Sequence, residues 1–148
     1  MTEVLSRSLF TSAKQTWETP DDLFAELNAE FAFTVDVCAE PETAKLPRFW
    51  TAQDNALWQR WATETCWMNP PYSEVDRWMA RAVEASEAGA TVVALVPSRT
   101  DTRWWHDYAM KASEIRFLRG RLKFGDAVNS APFPSVVLVF RPRAAEAA

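Results

Sequence analysis

Glycine is scarce in this chain, with 3 among 148 residues, at Gly89, Gly120 and Gly125. Glycine is the usual means by which backbone approaches a ligand closely, so any such loop in the first half must be built from residues that carry a Cβ. Cysteine is rarer still. Cys38 and Cys66 have no CxxC partner and no nearby histidine, which argues against zinc and for buried free thiols, and no metal is expected. The single histidine, His106, stands beside Trp104 and Trp105 with no serine or cysteine nucleophile pattern around it. It reads as a partly exposed packing residue. No apolar run approaches the ~20 residues that a membrane span requires, and Met1 to Phe10 contain no apolar block of signal-peptide length. The expectation is a cytoplasmic protein with no membrane partner. Positive charge is also in deficit: 16 Lys and Arg face 20 Asp and Glu, a net charge of -4.

What is present suits one globular domain. Apolar residues make up 48% and charged residues 24%, close to ordinary averages. A domain of this length buries roughly 70% of its unfolded surface and can build a core without staples. A net charge of -4 is a poor match to nucleic acid, but distribution matters more than the total. The acids crowd the first half, at Glu18, Asp21, Asp22, Glu26, Glu30, Glu40 and Glu42, while Arg99, Arg103, Lys111, Arg116, Arg119, Arg121 and Lys123 face only Asp101, Asp107 and Glu114 in the stretch they share. A local basic surface within an acidic protein is expected. Eight tryptophans is a high count; aromatic faces suit base stacking and cores alike.

Helix and strand signals alternate along the chain. Thr19-Pro20-Asp21-Asp22 has the pattern of a capped helix start, followed by Leu23, Phe24, Leu27 and Phe31 at helical spacing. Strands are expected at Phe33–Val37, Thr65–Met68, Thr91–Val96, Ile115–Leu118, Arg121–Phe124 and Val136–Phe140. A short helix is expected at Asn55–Trp61, another from a capping-box-like Ser73 to Gly89, and a third at Thr100–Met110. Such alternation predicts an α/β fold, with a mostly parallel sheet, helices on both faces, and an antiparallel edge where the last strands follow one another without a helix. Residues 1–15 and the Ala-rich tail 142–148 read as loose ends around a single domain at 16–141. Ligands in such sheets bind at the carboxyl ends of strands, which points to Asp36–Glu40, Asn69–Tyr72 and Pro97–Thr100.

Asn69-Pro70-Pro71-Tyr72 follows a short apolar strand directly and precedes a helix. The exocyclic amino group of adenine is a poor nucleophile, because its lone pair is delocalised into the ring. A site raises its reactivity by accepting both hydrogens: the Asn69 side-chain oxygen suits one and the Pro70 carbonyl the other. Two successive prolines stiffen the loop and aim that carbonyl. Tyr72 offers a flat face to a base swung out of a duplex. The bland alternative is a rigid Asn-Pro-Pro turn at a strand end.

This tetrapeptide resembles the signature of amino-group methyltransferases acting on DNA bases. From about Gln15 to Phe140 the chain is similar to the phage-type DNA N-6-adenine methyltransferases. The matching stretches are Trp17-Glu18-Thr19-Pro20 with Leu23-Phe24, Asp36-Val37-Cys38-Ala39, Asp54-Asn55-Ala56-Leu57, the tetrapeptide with Trp78, Pro97–Thr102, Gly120–Phe124, and Pro132-Phe133-Pro134-Ser135. The resemblance implies a Rossmann-like methyltransferase fold, S-adenosylmethionine as methyl donor, DNA as partner, and a phage or prophage origin with action in the host cytoplasm. It implies a catalytic set of Asn69, Pro70, Pro71 and Tyr72. It implies a cofactor site made by Trp17, Thr19 and Pro20, by Asp36 with the Cys38–Ala39 backbone, and by Asp54. The loop Cys38-Ala39-Glu40-Pro41 departs from the glycine-bearing cofactor loops of many methyltransferases. Arg99, Arg103, Arg116, Arg119, Arg121 and Lys123 are the candidate nucleic-acid contacts; their alternative is an ordinary face paired with the surplus acids. Asp36 could equally cap a loop, and Asp54 could cap a helix. RNA or a protein glutamine amide as substrate, and a non-catalytic relative that binds without turnover, are the competing readings of function.

Overall fold

A computed structural model describes residues 18–125 and 129–143. The expectations for Trp17, for residues 1–15 and for 144–148 therefore fall outside the described residues. Five strands form one sheet: β1 (Val35–Asp36), β2 (Thr65–Met68), β3 (Thr91–Pro97), β4 (Glu114–Phe117) and β5 (Ser135–Phe140), in the order β1-β2-β3-β5-β4. β1, β2 and β3 are parallel; β5 is antiparallel to both β3 and β4. Among the described residues the α-helices are α1 (Asp21–Phe31), α2 (Val75–Glu87) and α3 (Arg103–Asp107).

Strand alternation divides the core into two layers. Val92, Ala94 and Val96 of β3 pack with Trp78, Met79 and Ala82 of α2 and with Trp104 and Trp105 of α3 on one face. Val93 and Leu95 pack on the other face with Phe24 and Leu27 of α1 and with Phe33, Phe124 and Phe133. Helices therefore cover both faces, and the central strands are apolar throughout because neither side meets water.

The last two strands form an antiparallel margin of the sheet, as the sequence suggests, but β5 is its inner member. All six residues of β5 are buried, and it hydrogen-bonds on both sides. β4 takes the edge instead. Its Glu114 and Arg116 are only half-buried and Phe117 is exposed, and charged residues suit an edge that must not recruit further strands. Arg121–Phe124 is not a strand. It forms a loop that lays Leu122 and Phe124 onto the α1 side of the sheet. β1 is shorter than expected because the chain leaves it to form the loop 38–47 and then returns alongside it: Asp36 N donates to Arg48 O, and Trp50 N donates to Asp36 O.

Four expected helix features also resolve differently. Thr19 does not cap α1: the cap position is Pro20, with no side-chain bond, because the Thr19 hydroxyl is engaged elsewhere. Ser73 lies inside a 3-10 turn, Tyr72–Glu74, that leads into α2. Asn55–Trp61 holds only a 3-10 turn, Ala56–Trp58, separated by Asn55 at φ 53° from another at Ala52–Asp54. α3 begins later than expected, where Thr102 accepts from Trp105 N, and a 3-10 turn at Ala109–Lys111 follows it.

Candidate active site

The carboxyl ends of the three parallel strands place Asp36, Asn69 and Pro97 on one edge of the sheet, and the antiparallel β5 begins at the same edge with Ser135 beside Pro97. Asp36 pairs in register with Trp67, so by alternation Asp36 and Asn69 share the α1 face.

Asn69 is buried, and its amide Nδ2 donates to Thr19 Oγ1 at 3.1 Å. On the other side of the amide, Tyr72 Oη donates to Asn69 Oδ1 at 3.5 Å. The Pro71 carbonyl accepts from Glu74 N as the chain turns into α2. The Pro70 carbonyl takes no hydrogen bond among the described residues, so the tetrapeptide presents two acceptors, Asn69 Oδ1 and Pro70 O. Tyr72 packs edge-on against Phe133, with ring centroids 5.5 Å apart, and Arg99 lies over the Phe133 ring at 5.6 Å. Burial pushes the Tyr72 phenol well above its usual range, so it is a neutral hydroxyl at any pH of interest.

Asp36 is 3% exposed. Its Oδ2 accepts from Lys45 N at 3.0 Å and its Oδ1 from Cys38 N at 3.3 Å. Burial raises its carboxyl pKa, and these two amides work against the rise. The carboxylate thus folds the glycine-poor loop around itself. Ala39 N donates to Trp50 O and Val37 N to Trp67 O. Burial pushes Cys66 up to about 12 and Cys38 well above the usual thiol value, so both are inert thiols.

Residues 18–21 tie the strand-end loops together. Thr19 holds Asn69, Glu18 O accepts from Gly125 N at 2.9 Å, and Lys45 Nζ bonds Asp21 at 2.7 Å and reaches Glu18 at 3.9 Å. The loops after β1, β2 and β4 therefore converge on one segment. Pro20 contributes its carbonyl to the first turn of α1. Asp54 does not cap a helix from Asn55: it is the third residue of the turn Ala52–Asp54, where its Oδ2 accepts from Thr51 N at 2.8 Å and from Thr51 Oγ1 at 3.1 Å and closes a capping box with Thr51.

The basic candidates separate into two groups. The Arg116 guanidinium pairs with Glu30 at 2.7 Å and Glu114 at 2.8 Å, as the acid-paired alternative anticipates. Arg99, Arg103, Arg119, Arg121 and Lys123 are exposed and form no ion pair among the described residues. They lie on the segments that follow β3 and β4, beyond the carboxyl ends of those strands.

Sequence reasoning missed two participants. Lys45 sits in a loop between two prolines, where no periodicity marks it. Ser135 begins β5 with its hydroxyl buried and without a partner among the described residues; a serine before an apolar strand carries no signal of that. His106 is exposed, and its ring Nε2 lies 2.8 Å from the Thr100 carbonyl, in keeping with a peripheral role. Among the described residues, no group of His, Cys, Asp or Glu could hold a metal, and no helix is long and apolar enough to cross a membrane.

An α/β sheet with this acceptor pair at its carboxyl edge defines a class of candidate group-transfer sites, and comparison with known proteins gives the family. Residues 7–148 match the family described as DNA N-6-adenine-methyltransferase (Dam). The chain is 32% identical over 142 residues to the DNA N-6-adenine-methyltransferase of Haemophilus phage HP1, covering 90% of this chain and 82% of that one. It is 26% identical over 152 residues to the protein of the same name from Escherichia phage T1, covering 88% of this chain and 64% of that one. The chain belongs to the DNA N-6-adenine-methyltransferase (Dam) family.

Proposed function

We infer that this chain transfers a methyl group from S-adenosylmethionine to the exocyclic amino group of adenine in DNA, on a Rossmann-like fold within a single domain at 16–141. Family membership supports the activity. The observation that carries the mechanism is the buried Asn69 amide, held by Thr19 at one end and adjoined by the Pro70 carbonyl, which takes no hydrogen bond among the described residues.

The cofactor, when bound, supplies an electrophilic methyl on a sulfonium sulfur. Everything else falls to the chain. Asn69 Oδ1 and Pro70 O accept the two N–H bonds of the target amino group and turn its lone pair toward the methyl. As the nitrogen gains the methyl it becomes more acidic, and one of these acceptors or solvent receives the departing proton. Tyr72 stacks on the extruded base, and the two prolines hold the acceptors in place, so much of the rate comes from positioning. The site fits a cationic ligand rich in hydrogen-bond donors: it offers a buried carboxylate at Asp36 and the Thr19 hydroxyl. Thr19, Pro20, Asp36, Cys38 and Ala39 would line that side, with Trp17 and Asp54 as outer contacts. Arg99, Arg103, Arg119, Arg121 and Lys123 would meet phosphates.

The test is transfer of labelled methyl from S-adenosylmethionine to DNA, RNA or protein by wild type and Asn69→Ala. Label on the adenine amino group of DNA is expected. The variant should lose about 100- to 1,000-fold in turnover, the scale seen when one preorganised polar contact to a reacting group is removed, while cofactor affinity stays within about threefold. Wild-type turnover in a folded Asn69→Ala protein would refute the mechanism. Label on RNA or protein alone would move the substrate.

A further inference from the structure

We propose that Arg99 holds a phosphate flanking the extruded adenosine and so positions that nucleotide for methyl transfer, a role distinct from the general attraction of DNA by the other exposed cations. The proposal rests on the reading of the Asn69-Pro70-Pro71-Tyr72 corner as the binder of the target base.

Five arginines lie over aromatic rings among the described residues. Four of them also meet a carboxylate: Arg48 pairs with Glu64, Arg81 with Glu84, Arg116 with Glu30 and Glu114, and Arg141 with Glu114. Arg99 is the exception. It is exposed, its guanidinium carbon stands 5.6 Å from the Phe133 ring centre, and it forms no ion pair among the described residues. Phe133 in turn packs edge-on against Tyr72. Burial raises the Tyr72 phenol, and the Arg99 charge is close enough to draw it partly back. The backbone beneath the side chain is pinned: Arg99 N donates to Pro97 O at 2.9 Å, and Arg99 O accepts from Thr102 N at 3.2 Å and from Thr102 Oγ1 at 2.7 Å. The side chain thus starts from a fixed point at the carboxyl end of β3, the strand beside β2. A guanidinium over an aromatic face keeps N–H donors available at its rim, and it matches a phosphate through two parallel hydrogen bonds. A nucleotide whose base reaches the Asn69 and Pro70 acceptors carries its phosphates one sugar away. It therefore brings to this corner the anion that Arg99 lacks among the described residues. Extrusion costs stacking and pairing; a charge-assisted hold on the flanking phosphate offsets that cost and keeps the amino group in line. Arg103, Arg119, Arg121 and Lys123 lie over no ring among the described residues, so nothing comparable orients them toward a single nucleotide.

The experiment uses a synthetic duplex carrying a site that the protein methylates, with one or the other linkage flanking the target adenosine made neutral as a methylphosphonate. Wild type and Arg99→Ala are compared in single-turnover methylation at saturating DNA and S-adenosylmethionine. Calorimetry gives cofactor affinity, and the melting temperature reports folding. On the all-phosphate duplex, Arg99→Ala should lose about 10- to 100-fold in rate, the scale of one charge-assisted hydrogen-bonded contact. At one of the two linkages, neutralisation should cost wild type a similar factor and cost Arg99→Ala little more. Arg99→Lys should fall between the two proteins, since an ammonium keeps the charge without the planar fork. Should Arg99→Ala fail to fold, Arg99→Gln carries the same expectations. A wild-type rate in Arg99→Ala overturns the proposal, and so do losses that simply multiply at both linkages. Loss of cofactor affinity in proportion to rate would assign the guanidinium to the carboxylate of S-adenosylmethionine, and overturns it too. A wild-type protein that moves no label to DNA overturns the functional reading and this proposal together, whereas an active wild type matched by Arg99→Ala overturns only the proposal.

Discussion

Asp36 shows how one side chain can stand in for missing glycines. Most loops that wrap closely around a ligand rely on residues without a Cβ; here a buried carboxylate gathers Cys38 N and Lys45 N and shapes the loop by hydrogen bonding. Removing it orphans two amides. Asp36→Ala should therefore lower the melting temperature by the equivalent of about 1–3 kcal/mol and weaken S-adenosylmethionine binding in calorimetry. Asp36→Asn should fall between the two, since its NH2 must face one of those amide donors. Unchanged stability in Asp36→Ala would mean that the loop is held by other contacts, such as Ala39 N to Trp50 O. The residue pattern announced an important acid at a strand end. It left open whether that acid touches a ligand or its own loop, because both need the same residue at the same place.

At the scale of elements, the edge strand β4 and the loop after it divide the labour of the arginines. Arg116 is tied to Glu30 of α1 and to Glu114 of its own strand, and Arg141 also reaches Glu114 at 3.3 Å. Arg119, Arg121 and Lys123, a few residues on, carry no such partners among the described residues. In gel-shift titrations, Arg119→Ala with Arg121→Ala should weaken DNA binding about equally across sequences and flatten its salt dependence, while Arg116→Ala leaves binding intact and lowers the melting temperature. Equal losses of binding from both variants would contradict this division. The same cluster sets a pH response. Arg116 holds the Glu30 and Glu114 carboxyls below the ordinary glutamate value of 4.5, and Arg48 does so for Glu64. For a lowered acid, the stabilisation is complete above the unfolded value and is lost as pH falls through the folded one. Asp36 works the other way, because its raised carboxyl takes up a proton more readily when folded, but it is one group against four, since Lys45 also lowers Asp21. Melting temperature should hold from pH 7 to about 5 and fall below about 4.5. Arg116→Ala should shrink that acid-induced fall, and an unchanged fall would place the sensitivity elsewhere.

Over the whole molecule, few exposed cations among the described residues stand at the carboxyl edge: Arg99, Arg103, Arg119, Arg121 and Lys123. Direct readout needs several side chains aimed at base edges, and the exposed cations at the carboxyl edge also suit phosphates. A short or relaxed target is expected, with binding that falls steeply as salt rises. Sequencing of methylated bases in DNA from cells making the protein checks this. A single site of about six base pairs, with every flanking adenine untouched, would contradict it, since recognition on that scale needs a larger base-contacting surface. The alternation of strands and helices, the apolar central strands and the Asn-Pro-Pro-Tyr corner were legible in the sequence, because each is a local pattern of period, propensity or ring constraint. The insertion of β5 between β3 and β4 was not, since strand order depends on which long-range pairing buries the most apolar area. Nor was the bond from Thr19 to Asn69, which looked locally like a helix cap. That hydroxyl met two competing partners, its own helix and a strand end 50 residues away, and only the packing of α1 against the sheet decided between them.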